Sequence, residues 1–419
     1  MRSFLVEIDD PIAPFGEPAR QACVGGSSLA QFTADNLRRL GLSSSRVRSV
    51  DQVPAGGEPL LILHDNLLVT RRALRSFLRR ARRRGGAQRL ALPDSLLLQR
   101  YHHLQRLERD AADRWLFDAW YLDPAAIAAA GSAAAAMRQA GALEPEFKER
   151  RVRVAVPRHI VGQDGYEHPV TTTIALRIRH WVHILWANNL MPQTRLVERI
   201  TEAPLRTLWR LLGCGGLSRS AIAQRACGRF SYLGRGCRIH PTARLEYSVL
   251  GDNVQVGAFA LVRGSLIGSN TVVEERCDVC HSALGPDNFV SRNSVLIMCA
   301  SYDDADVCVD GMQFSLCGRG AALTSFVRPM DMNYGAPVSV LDDGQPVALP
   351  GHLLGSCFGH RTFVGPDVAI RPGRAIPNGA VILPPPEDSL GRLPTDWPAG
   401  QPGVVRGGRL EPLDRRDDR

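Results

Sequence analysis

Residues Ser248–Asn270 read SVLGDNVQVGAFALVRGSLIGSN. Two aliphatic–glycine pairs, Leu250-Gly251 and Ile267-Gly268, stand seventeen positions apart. Working outward, the pair recurs at Leu233-Gly234 and Leu284-Gly285. Aliphatic residues fall at 233, 239, 245, 250, 256, 262, 267, 273, 279, 284, 290 and 296, in steps of 6, 6 and 5. After an interruption the beat resumes in sixes at Phe358, Val364, Ile370, Ile376 and Ile382. A fixed short period means stacked coils, each burying its aliphatics only against its neighbours. Three short strands per coil make a triangular prism. The aliphatic points inward, and a small residue four positions on, such as Ala243, Ala260 or Cys277, fits near the corner. Gly251, Asn253, Gly268 and Asn270 suit turn conformations that other residues find costly.

The chain before this region has a different character. LAQFTADNLRRLGL (29–42) has helical spacing and closes on Gly41, and RRALRSFLRRARRRGG (71–86) is a basic helix ending in a glycine pair. EPLLILHDNLLVT (58–70) opens as a buried strand and breaks at His64-Asp65-Asn66, and RLALP (89–93) is another short strand. This alternation predicts an α/β layer around a mostly parallel sheet. RVRVAVP (151–157) alternates as a strand, and residues 171–190 are expected to form one long helix. The expected boundaries are a front domain over 1–200, a linker helix over 201–228 and the prism over 229–385. Residues 301–357 are expected to loop out of the prism, and 386–419 to form a loose, Pro- and charge-rich tail.

A length of 419 residues accommodates two domains. The formal charge is +9, and of 51 cationic side chains 50 are Arg, leaving Lys148 alone for chemistry that needs an ammonium. Residues 1–20 carry acids and no apolar run, so no secretory signal is expected, and no uncharged apolar run reaches the roughly 18 residues of a membrane span. The ten cysteines are scattered, and Cys277 and Cys280 form a C-x-x-C without a second pair at zinc spacing. Reduced thiols, a cytoplasmic setting and no metal site are the expectation. The run 71–86 has no interleaved aromatics, so it reads as a solvated face and nucleic acid is not an expected partner.

The seventeen-residue beat resembles the hexapeptide left-handed parallel β-helix of acyltransferases and sugar-nucleotide enzymes. FGHRTFVGPDVAIRPGRAIPNGAVILPPP (358–386) is similar to the closing coils of two-domain sugar-phosphate nucleotidyltransferases. VGGSSLAQFTADNLRRLGL (24–42) and LLILHDNLLVT (60–70) resemble segments of that family's front domain, and HWVHILWANNL (180–190) its linker helix, with Asn188 in the Asn place. The resemblance implies an α/β, nucleotidyltransferase-like (Rossmann-like) N-terminal domain followed by a left-handed parallel β-helix that assembles as a homotrimer. It places Asp65 where the family holds metal and nucleotide, and admits Mg2+ as a cofactor if the front domain is active. The sequence departs from the family at its start. Residues 1–24 contain no G-x-G-x-R and no Lys, so the backbone nest that seats a triphosphate is degenerate.

Hexapeptide acyltransferases use an outward histidine as general base toward an acyl thioester. His281 follows the inward Val279 by two residues, and His360 follows Phe358 in the same phase, so both are expected to face outward as catalytic candidates. His240 in RIHPTA reads as a first-coil turn residue. In TSFVRPMDMNYG, Arg328 and Asn333 are candidates for substrate binding, although Phe326 stands where the family has a functional Asn. Asp303, Asp304 and Asp306 lack calcium-loop spacing. Three readings stay open. The first is an acyltransferase moving an acyl group from acetyl-CoA or a related thioester to a sugar or sugar-nucleotide-like acceptor. The second is a sugar-1-phosphate nucleotidyltransferase with an atypical phosphate loop. The third is a non-catalytic sugar-nucleotide-binding scaffold. In all three the partner is a small molecule, and no membrane is involved.

Overall fold

The computed structural model describes residues 1–54, 57–154, 166–202, 230–385, 390–391, 397–398 and 401–412. From residue 203 onward the expected linker helix lies outside the described residues.

The front domain is built on a Rossmann-like sheet. Its strands run in the order Gly141–Leu143, Ala87–Leu92, Trp115–Leu122, Leu60–His64, Arg2–Val6, Ser44–Val47. Strand Arg2–Val6 pairs in parallel with both Ser44–Val47 and Leu60–His64. Trp115–Leu122 runs antiparallel to both of its neighbours, so the sheet is mixed. The two anticipated helices form at Leu29–Arg39 and Arg71–Arg84. The first is closed by a capping box in which the Ser28 hydroxyl accepts from Gln31 N–H and the Gln31 amide oxygen accepts from Ser28 N–H. The second buries Leu74, Phe77 and Leu78 and turns its arginines from Arg72 onward to solvent, while Arg71 is largely covered and pairs with Glu198.

The expectation of one helix over 171–190 is corrected. Residues Ala175–Arg177 form a strand paired with Leu67–Val69, and the helix spans Trp181–Glu202. Thr171–Thr173 and Ile174 are β-branched, and the extended chain suits them. The helix then begins where the His180 ring nitrogen Nδ1 accepts from Val182 N–H.

The C-terminal region is a three-faced parallel β-helix. Its first face runs from Arg238–Ile239 to Val381–Ile382, its second from Arg244–Glu246 to Gly311–Gln313, and its third from Val249–Leu250 to Ala375–Ile376. Pairing advances by one coil at a time: Val256 faces Val273, Val262 faces Val279, and Leu250 faces Ile267. The inward aliphatics from Leu250 to Leu296 are each at most 3% exposed. Two polar ladders run along the stack. Ser248, Ser265 and Ser282 each accept from an amide one coil on, at 3.1–3.2 Å. Asn253, Asn270 and Asp287 take left-handed turns at one corner and join side chain to side chain at 3.1 and 2.9 Å.

The expected excursion over 301–357 is corrected. Strands continue in register through Ser301, Val307, Met312, Cys317, Leu323 and Pro329, and only the segment after Pro329 leaves the prism. Two causes hid these coils. Ser301, Cys317 and Pro329 stand at inward places, and Val307 to Met312 is a step of five where the equivalent Val290 to Leu296 is six. The segment that leaves carries a hairpin, Ser339–Asp342 with Gln345–Ala348, before Cys357–Phe358 rejoins the third face. The expected loose tail is corrected in part, since Gly403–Arg406 and Arg409–Pro412 form a hairpin.

The two regions share one core. Outward residues of the third face, Leu266, Ala283, Ala300 and Leu316, are at most 6% exposed because they pack in one cluster with Trp181, Val182 and Leu185 of the long helix.

Candidate functional site

Three places hold the anticipated chemistry. At the corner between the second and third faces, Tyr247, Gly264, His281, Met298 and Phe314 form a column, and all five have positive φ. His281 N–H donates to Arg263 O at 2.8 Å, which fixes the corner, and its side chain reaches solvent. The ring lies against Gly264, where an added Cβ would stand 2.7 Å from His281 Nδ1. Glycine is therefore the residue in this column that leaves room for the imidazole. Partial burial first, and then the charge of Arg263, hold the His281 pKa below the usual histidine value. Arg263 is itself steered by Glu246, whose carboxylate it meets at 2.6 Å and which also pairs with Arg244. His168, on the front-domain hairpin of Arg150–Val154 with Tyr166–Val170, is within electrostatic range; burial, His281 and Arg100 lower its pKa to about 4. Cys280 is 9% exposed rather than open, and its thiol donates to Asp278 at 2.9 Å.

His360 differs from expectation. It is 9% exposed and sits between Phe15 and Tyr302, with ring centroids 4.7 and 5.0 Å away. The reason is its corner, which follows the third face, and that face is covered by the front domain. Its Nδ1 accepts from Arg319 N–H at 2.9 Å, and its Nε2 lies 3.4 Å from Glu17 Oε2. A base so enclosed has no access to an acceptor.

Asp65 also lies elsewhere than expected. Its side chain is buried, one oxygen accepts from Ile8 N–H at 2.9 Å, and the other is 3.4 Å from Arg20 Nη1. Burial raises its pKa against the opposing pull of those two partners. A carboxylate engaged with an amide and a guanidinium does not fit a Mg2+ ligand. No group of three or more His, Cys, Asp or Glu able to hold a metal occurs among the described residues. Beside Asp65 opens a cleft of about 350 Å³, lined in part by Asp10, His64, Asn66, Asp118 and Arg177. Asp118 is held by Arg177 at 2.6 Å and Arg89 at 3.2 Å. Asn66 Oδ1 is buried there without a hydrogen-bond partner. The hairpin that leaves the β-helix reaches this rim, where Asp342 meets Arg106 at 3.2 Å and Arg179 at 3.5 Å, and His180 Nε2 bonds Leu341 O at 3.0 Å.

Arg328 is exposed on the second face, with Nη2 3.5 Å from Asp367 O. Asn333 Nδ2 donates to Pro337 O at 3.3 Å, and His240 sits in an exposed turn against Thr242. The sequence reading missed the covering of the third face. Adjacent apolar pairs such as Leu266-Ile267 and Ala283-Leu284 mark that face, but Leu261-Val262 and Val272-Val273 occur on the other two, so the pairs alone do not single it out. It also missed Glu17, whose partner lies in the other half of the chain.

No protein-family model matches the chain, and no curated protein does. Among solved structures the chain is similar to the acetyltransferase domain of PglB from Neisseria gonorrhoeae FA1090, at 14% identity over 40% of this chain and a TM-score of 0.18. The chain spans 62% of that domain's length. The fold assignment above rests on the strand registers. No helix among the described residues is long and apolar enough to cross a membrane.

Proposed function

We propose that the β-helix carries an acyltransferase site at the corner of His281. The observation that supports this is a solvent-reaching imidazole resting on a glycine at a left-handed corner. The ring takes a proton from an acceptor hydroxyl or amine as its oxygen or nitrogen attacks the carbonyl carbon of a thioester. The tetrahedral intermediate collapses, the carbon–sulfur bond breaks, and the imidazolium returns its proton to the leaving thiolate. Acetyl-CoA or a related thioester is the donor, and a sugar or sugar-nucleotide-like molecule is the acceptor. Arg328 stands three coils from Asp278 in the same outward column, roughly 14 Å at about 4.8 Å per coil. Arg328 therefore contacts a ligand only if that ligand extends along the second face, whereas Asn333 lies in the segment that has left the prism. A homotrimer would bring a second β-helix to that face. Mass spectrometry of thiol and acylated product, with acetyl-CoA and a panel of sugar acceptors, tests the reading. Equal turnover by wild type and His281→Ala would remove it.

A second reading is favoured by one observation, the buried and unpartnered Asn66 Oδ1 at the front cleft. The front domain then binds a sugar nucleotide without turning it over. The degenerate loop and the engaged Asp65 count against nucleotidyl transfer there. Calorimetry with a sugar nucleotide and with a Mg-triphosphate separates the two: binding of the first alone, weakened by Asn66→Ala, supports the scaffold role.

A further inference from the structure

Building on the sugar-nucleotide reading of the front cleft, we propose that Arg106 and Arg179 are its diphosphate-binding residues, and that the β-helix hairpin occupies them with Asp342 and Asp343 until a ligand displaces its tip. Both arginines line the cleft. Asp342 meets them at 3.2 and 3.5 Å, and Arg106 pairs with Asp343 as well. The cleft's other charges are engaged or open. Arg177 is committed to Asp118 at 2.6 Å and to the carbonyl of Arg106 at 2.7 Å. Asp118 is further held by Arg89, and Asp10 is exposed. Among the described residues, Arg106 and Arg179 are thus answered only by acids from the other half of the chain.

The fold places both sides of this contact, and only the hairpin tip is loosely held. Arg106 stands at φ +51°, a left-handed conformation costly for most residues other than glycine. Arg177 keeps it there by donating to Gln105 O and Arg106 O at 3.1 and 2.7 Å, and Arg179 Nη1 donates to Leu104 O at 2.9 Å. The receiving guanidiniums are therefore set before any ligand arrives. The base of the hairpin is equally fixed. Val338, Val340 and Leu349 are at most 5% exposed and pack in one cluster with Trp181 and Val182. At the tip, Leu341 is 58% exposed, and the chain reverses through Asp343 and Gly344 at φ +49° and +77°. The Arg106 side chain is 56% exposed, so its ion pairs are screened and weak. A diphosphate carries at least the charge of the two carboxylates and offers oxygens to both guanidiniums at once. It competes for the same donors. A ligand that wins releases a segment that runs on into Cys357–Phe358 of the third face.

Isothermal calorimetry of the full chain with UDP-glucose and with inorganic pyrophosphate tests this. Asp342→Asn combined with Asp343→Asn is expected to bind about tenfold more tightly than the wild type, because the hairpin no longer competes. A gain with both probes assigns the site to the diphosphate itself, and a gain with UDP-glucose alone assigns it to the diphosphate ester. Adding Arg106→Gln and Arg179→Gln is expected to abolish the gain. In the wild type, either probe that binds should at saturation speed hydrogen–deuterium exchange within Leu341–Gln345. Equal affinities of the wild type and the Asn variant, a gain that survives loss of both arginines, or unchanged exchange in the hairpin would overturn the inference while leaving the sugar-nucleotide reading in place. Binding of neither probe to any of these proteins would overturn both.

Discussion

His281 and His360 occupy the same phase of the repeat, each two residues beyond an inward side chain, yet one reaches solvent and the other is enclosed. The difference lies in which face each follows. His281 turns from the second face to the third, at an edge that the front domain leaves open. His360 turns away from the third face, under the front domain, and meets Glu17. Phase along the coil decides whether a side chain points in or out. Only the packing of distant chain decides what covers the outward ones.

Four experiments press on this contrast. Removing the base should have the largest effect. His281→Ala is expected to lower kcat for acyl transfer about 10²- to 10⁴-fold in steady-state assays, with melting unchanged. His360→Ala should do the reverse, lowering Tm while folded enzyme keeps its turnover. Next, Leu316→Ala on the covered third face should cost about 2–5 kcal/mol by denaturant titration, since Leu316 is fully buried beneath the front domain. Phe363→Ala on the first face, where the ring is 38% exposed, should cost less than half of that. Smaller again, Gly264→Ala should cost about 1–3 kcal/mol, because a Cβ would stand 2.7 Å from the His281 ring at a φ of +55°. Gly311→Ala, with nothing within 4 Å of an added Cβ, is its control and should be nearly silent.

The smallest effect is in pH. Burial lowers the pKa of His168 to about 4 and that of His183 to about 3. Both therefore stay neutral in the folded chain while the unfolded chain takes up protons near pH 6.5. Stability should fall as pH drops from about 6.5 toward those values, seen as a declining Tm. His281→Ala should leave the His183 share of this decline intact, because the His281 ring acts on His168 and not on His183. A Tm flat from pH 7 to 4.5 would show that neither ring is buried as described.

The periodic half was legible because each coil repeats one local rule, and Leu250, Val256 and Val262 display it without reference to anything distant. The rule became invisible where Ser301 and Cys317 replaced aliphatics and one turn lost a residue. Both residues are buried: the Ser301 hydroxyl accepts from Gly285 N–H at 3.1 Å, and Cys317 packs in the prism core. In the front half, helices with a cap or a glycine stop were readable. The antiparallel placement of Trp115–Leu122 was not, because an apolar run carries no sign of direction. The position of His281 was likewise available from counting. The enclosure of His360 and the occupation of Asp65 by Arg20 depend on contacts 343 and 45 positions apart, which no local pattern encodes.

The apolar outer surface of the third face has a consequence for how the chain can be divided. Cutting near residue 230 would expose Leu266, Ala283, Ala300 and Leu316 as a continuous stripe on one piece, and Trp181, Val182 and Leu185 on the other. Each piece would then carry an unpaired, water-averse seam of the kind that drives aggregation. The two halves have separate architectures and separate candidate chemistries, but for solubility they are one unit. A change that loosens either side of the seam is felt by both.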